Sequence, residues 1–119
     1  MSRELTRNVI QQENEAHAGT GGRSQENSGS GFRPAFFDCA TCAIYPSRFA
    51  DGRDAPFHLL DGLPDEVVIE RSPEGRVVSA KSSLVSGFVR GGYFFTRSAA
   101  ARVSSDWAPI PREQRLALW

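Results

Sequence analysis

Lysine is almost missing from this chain: of its 14 basic residues, all but Lys81 are arginine. With abundant Ala, Gly and Pro beside it, that bias reads as GC-rich coding rather than selection for bidentate phosphate recognition. Net charge is missing too. Fourteen acidic residues balance the basic ones, which removes the whole-chain electrostatic case for nucleic acid or an anionic membrane and leaves only local patches. No apolar run approaches the roughly 20 residues that span a bilayer. The opening Met-Ser-Arg-Glu-Leu-Thr-Arg is polar and has no signal-peptide stretch. The expectation is a cytoplasmic protein with no membrane segment. Cysteine is confined to Cys39 and Cys42, and two thiols in a cytosolic chain do not make a disulfide scaffold. Repeats are absent, no serine sits in a nucleophile elbow, and Gly87-Phe-Val-Arg-Gly91-Gly92 lacks the strand-to-helix context and Lys-Ser/Thr ending of a phosphate loop.

What is present fits one small domain with two appendages. Residues 1–31 are expected to be a flexible N-terminal segment. Leu5, Val9 and Ile10 lie at helical spacing behind Ser2, so a short helix over about 3–15 is expected to fray unless it docks. From Ala18 to Gly31 the composition is that of a linker; it reads as a disordered lead-in or as a segment ordered by a partner. Residues 32–106 form the folded part. Residues 107–119 make a tail held extended by Pro109 and Pro111, with a short helix at its end.

Within the folded part, Phe32–Asp38, Ala43–Tyr45 and Pro56–Leu60 read as strands. Glu66–Arg71 and Arg76–Ser82 flank Ser72-Pro-Glu-Gly75, a hairpin of β-branched runs about a Pro/Gly turn. Leu84–Arg90 and Tyr93–Phe95 make a second hairpin about Gly91-Gly92. Thr96 is a good N-cap for an Ala-rich helix over Arg97–Val103, with Phe95 and Ala100 in staple positions. The predicted fold is α+β: a small twisted antiparallel sheet of five or six short strands with one short C-terminal helix packed on it. One helix covers one face, so the opposite face should stay open, and a partner or ligand is expected there.

Chemistry concentrates in Ser47–Pro64, where Asp51-Gly52 and Asp61-Gly62 read as tight turns needing positive φ. Arg48, Arg53 and His58 form the edge of that loop. Together with Arg90, Tyr93 and Arg97 they are the candidate binding residues. Arginines beside Phe49, Tyr93 and Phe94 could hold a single strand by stacking; the alternative is that Arg48–Asp51 and Arg53–Asp54 pair within a structured loop. His58 falls between apolar neighbours near Asp54 and Asp61. It reads as a strand histidine bonded to a backbone group or an Asp, or as the base of an enzyme using one of those carboxylates. Cys39-Ala-Thr-Cys42 could join His58 and a carboxylate around zinc or form a redox pair, but it lacks a second paired motif and reads first as two turn cysteines. No metal or cofactor is expected, and no catalytic residues are assigned.

Phe32-Arg-Pro-Ala-Phe36, Tyr45-Pro-Ser-Arg-Phe-Ala-Asp-Gly-Arg53, Ala55-Pro-Phe-His-Leu-Leu-Asp-Gly-Leu-Pro64, and Ser86-Gly-Phe-Val-Arg90 through Tyr93-Phe-Phe-Thr-Arg97 carry a resemblance. Over about 32–103 the chain resembles a group of small uncharacterised proteins from plasmids, integrative elements and phages of GC-rich proteobacteria. The resemblance implies a mobile-element setting and no catalytic residues; the Cys39/Cys42 pair lies outside its pattern. The functional expectation is a non-enzymatic protein-interaction module of a mobile genetic element, acting as an inhibitor or accessory factor on host or element machinery. The alternative is a single-stranded nucleic-acid-binding accessory protein.

Overall fold

The computed structural model describes residues 4–18, 29 and 31–106. The expected linker and the Pro-containing tail over 107–119 therefore lie largely outside the described residues, as does Ser2. Among the described residues, seven short strands and two helices follow in the order β1 (Leu5–Thr6), α1 (Arg7–Ala16), β2 (Arg33–Asp38), β3 (Ala43–Pro46), β4 (Val68–Arg71), β5 (Val77–Ala80), β6 (Leu84–Arg90), β7 (Tyr93–Thr96) and α2 (Arg97–Asp106), with a 3₁₀ turn at Asp65–Val67 before β4. The class is α+β and every strand pairing is antiparallel.

The strands divide between two sheets, ordered β1-β5-β4 and β3-β2-β6-β7. The division falls at Lys81–Ser83. There the Lys81 N–H bonds the Val67 carbonyl and Leu84 N–H turns back to Lys81, so β6 leaves β5 and pairs with β2. Both hairpins form where the turn residues place them, at Ser72–Gly75 and at Gly91-Gly92.

The N-terminal helix exists and docks. Thr6, not Ser2, caps it, accepting from the Val9 N–H at 3.2 Å. The start moves because Leu5 and Thr6 are drawn into β1 beside Ala80 and Ser79. Leu5 and Ile10 are buried in the main core with Phe36, Leu60, Leu63, Val67, Val77, Ala80 and Leu84. A helix this short is marginal in water alone and is held here by tertiary burial. A second core joins Phe32, Phe88 and Ala100, with Phe95 and Val103 against it. Thr96 caps α2 by accepting from Ala99 N–H at 3.1 Å.

The expected strand at Pro56–Leu60 does not form. Pro56 has no N–H to give a ladder, and the Ser47 hydroxyl takes over the bonding: it accepts from Leu59 N–H at 2.8 Å and donates to the Phe57 carbonyl at 2.7 Å. The segment is an irregular loop folded onto the buried Ser47. Its two Asp-Gly pairs serve different ends. Gly52 has φ of +95°, as a tight turn requires. Gly62 has no positive φ; a Cβ there would meet the Arg48 carbonyl oxygen at 2.5 Å, so glycine is needed for close packing.

Candidate functional site

Two of the six candidate binding residues are in the interior. Arg97, the first residue of α2, is 3% exposed and His58 is 8% exposed, so neither belongs to a surface edge. The guanidinium reaches across the core: Nη2 donates to His58 Nδ1 at 3.0 Å, Nη1 to Asn14 Oδ1 at 2.6 Å, and Nε to Ser86 Oγ at 3.0 Å. Ser86 donates in turn to the Glu13 carboxylate, which also stands 3.7 Å from Arg97 Nε. One buried charge therefore ties α1, the loop, β6 and α2 together.

His58 completes the network as a neutral imidazole. Nε2–H donates to the Gly87 carbonyl at 2.7 Å, which leaves Nδ1 as the acceptor for Arg97. Phe36 and Phe88 meet its ring edge-on at 5.5 Å and 5.1 Å. Burial, followed by the charge of Arg97, pushes its pKa down to about 3. Both nitrogens are occupied. Asp54 pairs instead with Arg48, and Asp61 with Arg7 and Arg76, so neither carboxylate orients His58. Ser86 donates to Glu13 rather than to the imidazole, and no nucleophile–base pair forms here.

The loop arginines pair, but with the acids exchanged relative to expectation. Arg48 lies 3.6 Å from Asp54, and Arg53 lies 2.7 Å from Asp51 and stacks over Phe49 at 5.2 Å. The Asx turn at Asp51, which accepts from Arg53 N–H at 3.0 Å, fixes the second pair and holds the Asp51 carboxyl below its usual range. Arg90 lies over Phe32 at 4.6 Å, and Tyr93 is 73% exposed at the start of the edge strand β7. The six residues thus fall into an exposed loop, a buried core and a sheet edge, and the structure does not join them into one surface.

Cys39 and Cys42 are free and exposed in the turn between β2 and β3. Among the described residues no group of three or more His, Cys, Asp or Glu could hold a metal, and His58 is in the core. The turn is built by Asp38, whose buried carboxylate accepts from Ala40 N–H at 2.9 Å and is held below its usual range chiefly by that bond.

The far face of the four-stranded sheet, opposite α2, is built mainly from apolar side chains. Alternation along β2, β3, β6 and β7 sends Phe36, Tyr45, Leu84 and Phe88 toward the cores. It sends Phe37, Ile44, Val85, Val89 and Phe94 the other way. None of these five is part of either core, and all are partly or fully exposed. Phe94 stacks on Phe37 at 5.2 Å and lies over Gly87, where a Cβ would collide with the Phe94 ring and the Phe95 carbonyl. Helix α2 packs on the opposite face, through Ala100 against Phe88.

At one side of this face, beside the Ser47–Pro64 loop, is a slot of about 230 Å³ lined in part by Pro34, Pro46, Ala55 and Val89, with Arg33 and Arg48 on its border. The signal for this face was present in the sequence. Ala35-Phe36-Phe37 and Leu84-Val85 are apolar at successive positions, as in strands covered on both faces. Arg33 was missed because a lone arginine at a strand start carries no signal of its own. In comparisons with known proteins, no family model, no curated sequence and no solved structure matches this chain.

Proposed function

We propose that this protein is a non-enzymatic interaction module that binds another protein through the far face of its β3-β2-β6-β7 sheet, with the Ser47–Pro64 loop as its rim. The observation that carries the reading is the apolar face of Phe37, Ile44, Val85, Val89 and Phe94, which lies outside both cores with Ile44 exposed and the other four partly exposed. Apolar patches of this kind on a small domain mark sites of association. The groups that could do chemistry are consumed internally: both nitrogens of His58 and the guanidinium of Arg97 hold the fold together. The resemblance to mobile-element proteins supplies the setting, with a component of host or element machinery as the partner.

The nucleic-acid alternative has less support. Of the arginines it invoked, Arg97 is buried, Arg48 and Arg53 face Asp54 and Asp51, and Arg90 lies on Phe32. A photo-crosslinking residue at position 85, carried by the full chain in its native host, tests the proposal. A discrete protein adduct is expected from this position, abolished by Val89→Glu, with none from position 78 on the outer side of the small sheet. Equal labelling from both positions, or no protein adduct at position 85, would overturn it.

A further inference from the structure

We infer that the partner presents a short segment in which one large apolar side chain is flanked by a carboxylate, the apolar group entering the slot beside Val89 and the carboxylate meeting Arg33. The inference rests on the reading of the far sheet face as a protein-binding surface and specifies what binds there. Its first support is size. At about 230 Å³ the slot is below the ~300–1,000 Å³ of small-molecule and cofactor sites and suits a single side chain, as anchor pockets at interface centres do. Pro34, Pro46, Ala55 and Val89 give it a hydrocarbon lining suited to an apolar group, while Arg33, Ser47, Arg48 and Asp54 supply its polar groups.

Charge supplies the second support. The sheet face itself carries no acidic side chain: its outward positions are Arg33, Ala35, Phe37, Ile44, Pro46, Val85, Gly87, Val89, Phe94 and Thr96. Arg33 is exposed and makes no hydrogen bond or ion pair among the described residues. Arg48, on the same slot, pairs among the described residues with the exposed Asp54 at 3.6 Å, a pairing of the kind that contributes little and exchanges readily. Two guanidinium groups and one carboxylate leave the border of the slot with a net positive charge next to partly exposed apolar surface. The complement is an apolar anchor with an acid beside it, and a bidentate Arg–carboxylate pair would fix its direction. A phosphate backbone would gain the charge contact but has no apolar group to set against Pro34, Pro46, Ala55 and Val89 in the slot.

A phage-displayed random peptide library panned against the full chain is the test. The expected survivors carry an aromatic or large aliphatic residue next to Asp or Glu, and a synthetic survivor shifts the NMR signals of Val85 and Val89. Arg33→Glu, at an exposed site that leaves the fold intact by circular dichroism, should weaken that peptide about tenfold or more. Changing the peptide's acid to lysine should restore binding to Arg33→Glu. Survivors that lack acids, or that bind Arg33→Glu unchanged yet are lost on Val89→Glu, overturn this inference while leaving the face as a binding surface. No survivors at all overturn both. Three other occupants would also overturn it: a dimer of the chain dissociated by Val85→Glu, contacts from the chain's own residues 107–119 to Phe94, or a single-stranded oligonucleotide displacing the peptide.

Discussion

Acid should destabilise this protein through one residue. In the folded state His58 is neutral, with its pKa pushed down to about 3 by burial and by Arg97, and both its nitrogens are engaged. A second proton would sit on Nδ1, 3.0 Å from the Arg97 guanidinium nitrogen, with no acceptor to receive it. Unfolded, the imidazole titrates near its ordinary value of about 6.5. Between those two values the unfolded state binds a proton that the folded state refuses, so stability falls as pH falls, by about 1.4 kcal/mol per pH unit. The contribution is whole above about pH 6.5 and has lost about 2–3 kcal/mol by about pH 4.5, against the ~5–15 kcal/mol typical of a domain. The depressed carboxylates of Asp38 and Asp51 add their own losses at lower pH, below the ordinary carboxylate range. Urea midpoints measured across this window for the wild type and for His58→Gln isolate the effect, because every other group cancels in the difference. The wild-type curve should fall relative to the variant as pH drops. Parallel curves would refute the argument, as would an NMR titration in which the His58 ring protonates in the folded protein above about pH 5.

Arg97→Ala leaves the Glu13 carboxylate, Asn14, Ser86 and His58 without their common partner. It should cost about 3–5 kcal/mol in urea unfolding, with the amides of α1 losing hydrogen-exchange protection first. Ser79 Oγ is the opposite case, a buried hydroxyl with no hydrogen-bond partner among the described residues. Ser79→Ala should leave stability unchanged or raise it by up to ~1 kcal/mol, and a clear drop in melting temperature would show that the hydroxyl has a partner.

Local chemistry made the hairpins and α2 legible in the sequence. Ser72-Pro-Glu-Gly75 and Gly91-Gly92 dictate their turns, and Thr96 lies immediately before the helix that it caps. Pairings between distant positions were invisible. Leu5–Thr6 against Ser79–Ala80, Glu13 to Ser86 and His58 to Arg97 depend on how the chain closes, and no spacing announces them. Pro56–Leu60 has the composition of a strand, and only the position of the Ser47 hydroxyl turns it into a loop. The open sheet face was expected from a thin sheet with one helix. Which residues line it needed the register of β2 against β6, since a slip of one position would exchange Phe36 for Phe37. The loop arginines, dense enough in sequence to suggest an active surface, are largely matched by Asp51 and Asp54; Arg33, outside the loop, has no such partner among the described residues.

The central claim is that the far face of the four-stranded sheet is where this protein is covered when it works. Hydroxyl-radical footprinting of the full chain, purified and then in extract of its native host, reads that directly. Ile44, Val89 and Phe94 should react in the purified protein and be protected in the extract, while Tyr93 and Val78, exposed elsewhere, react in both. Ile44 and Phe94 remaining reactive in the extract, or protection appearing at Tyr93 and Val78 instead, would contradict it.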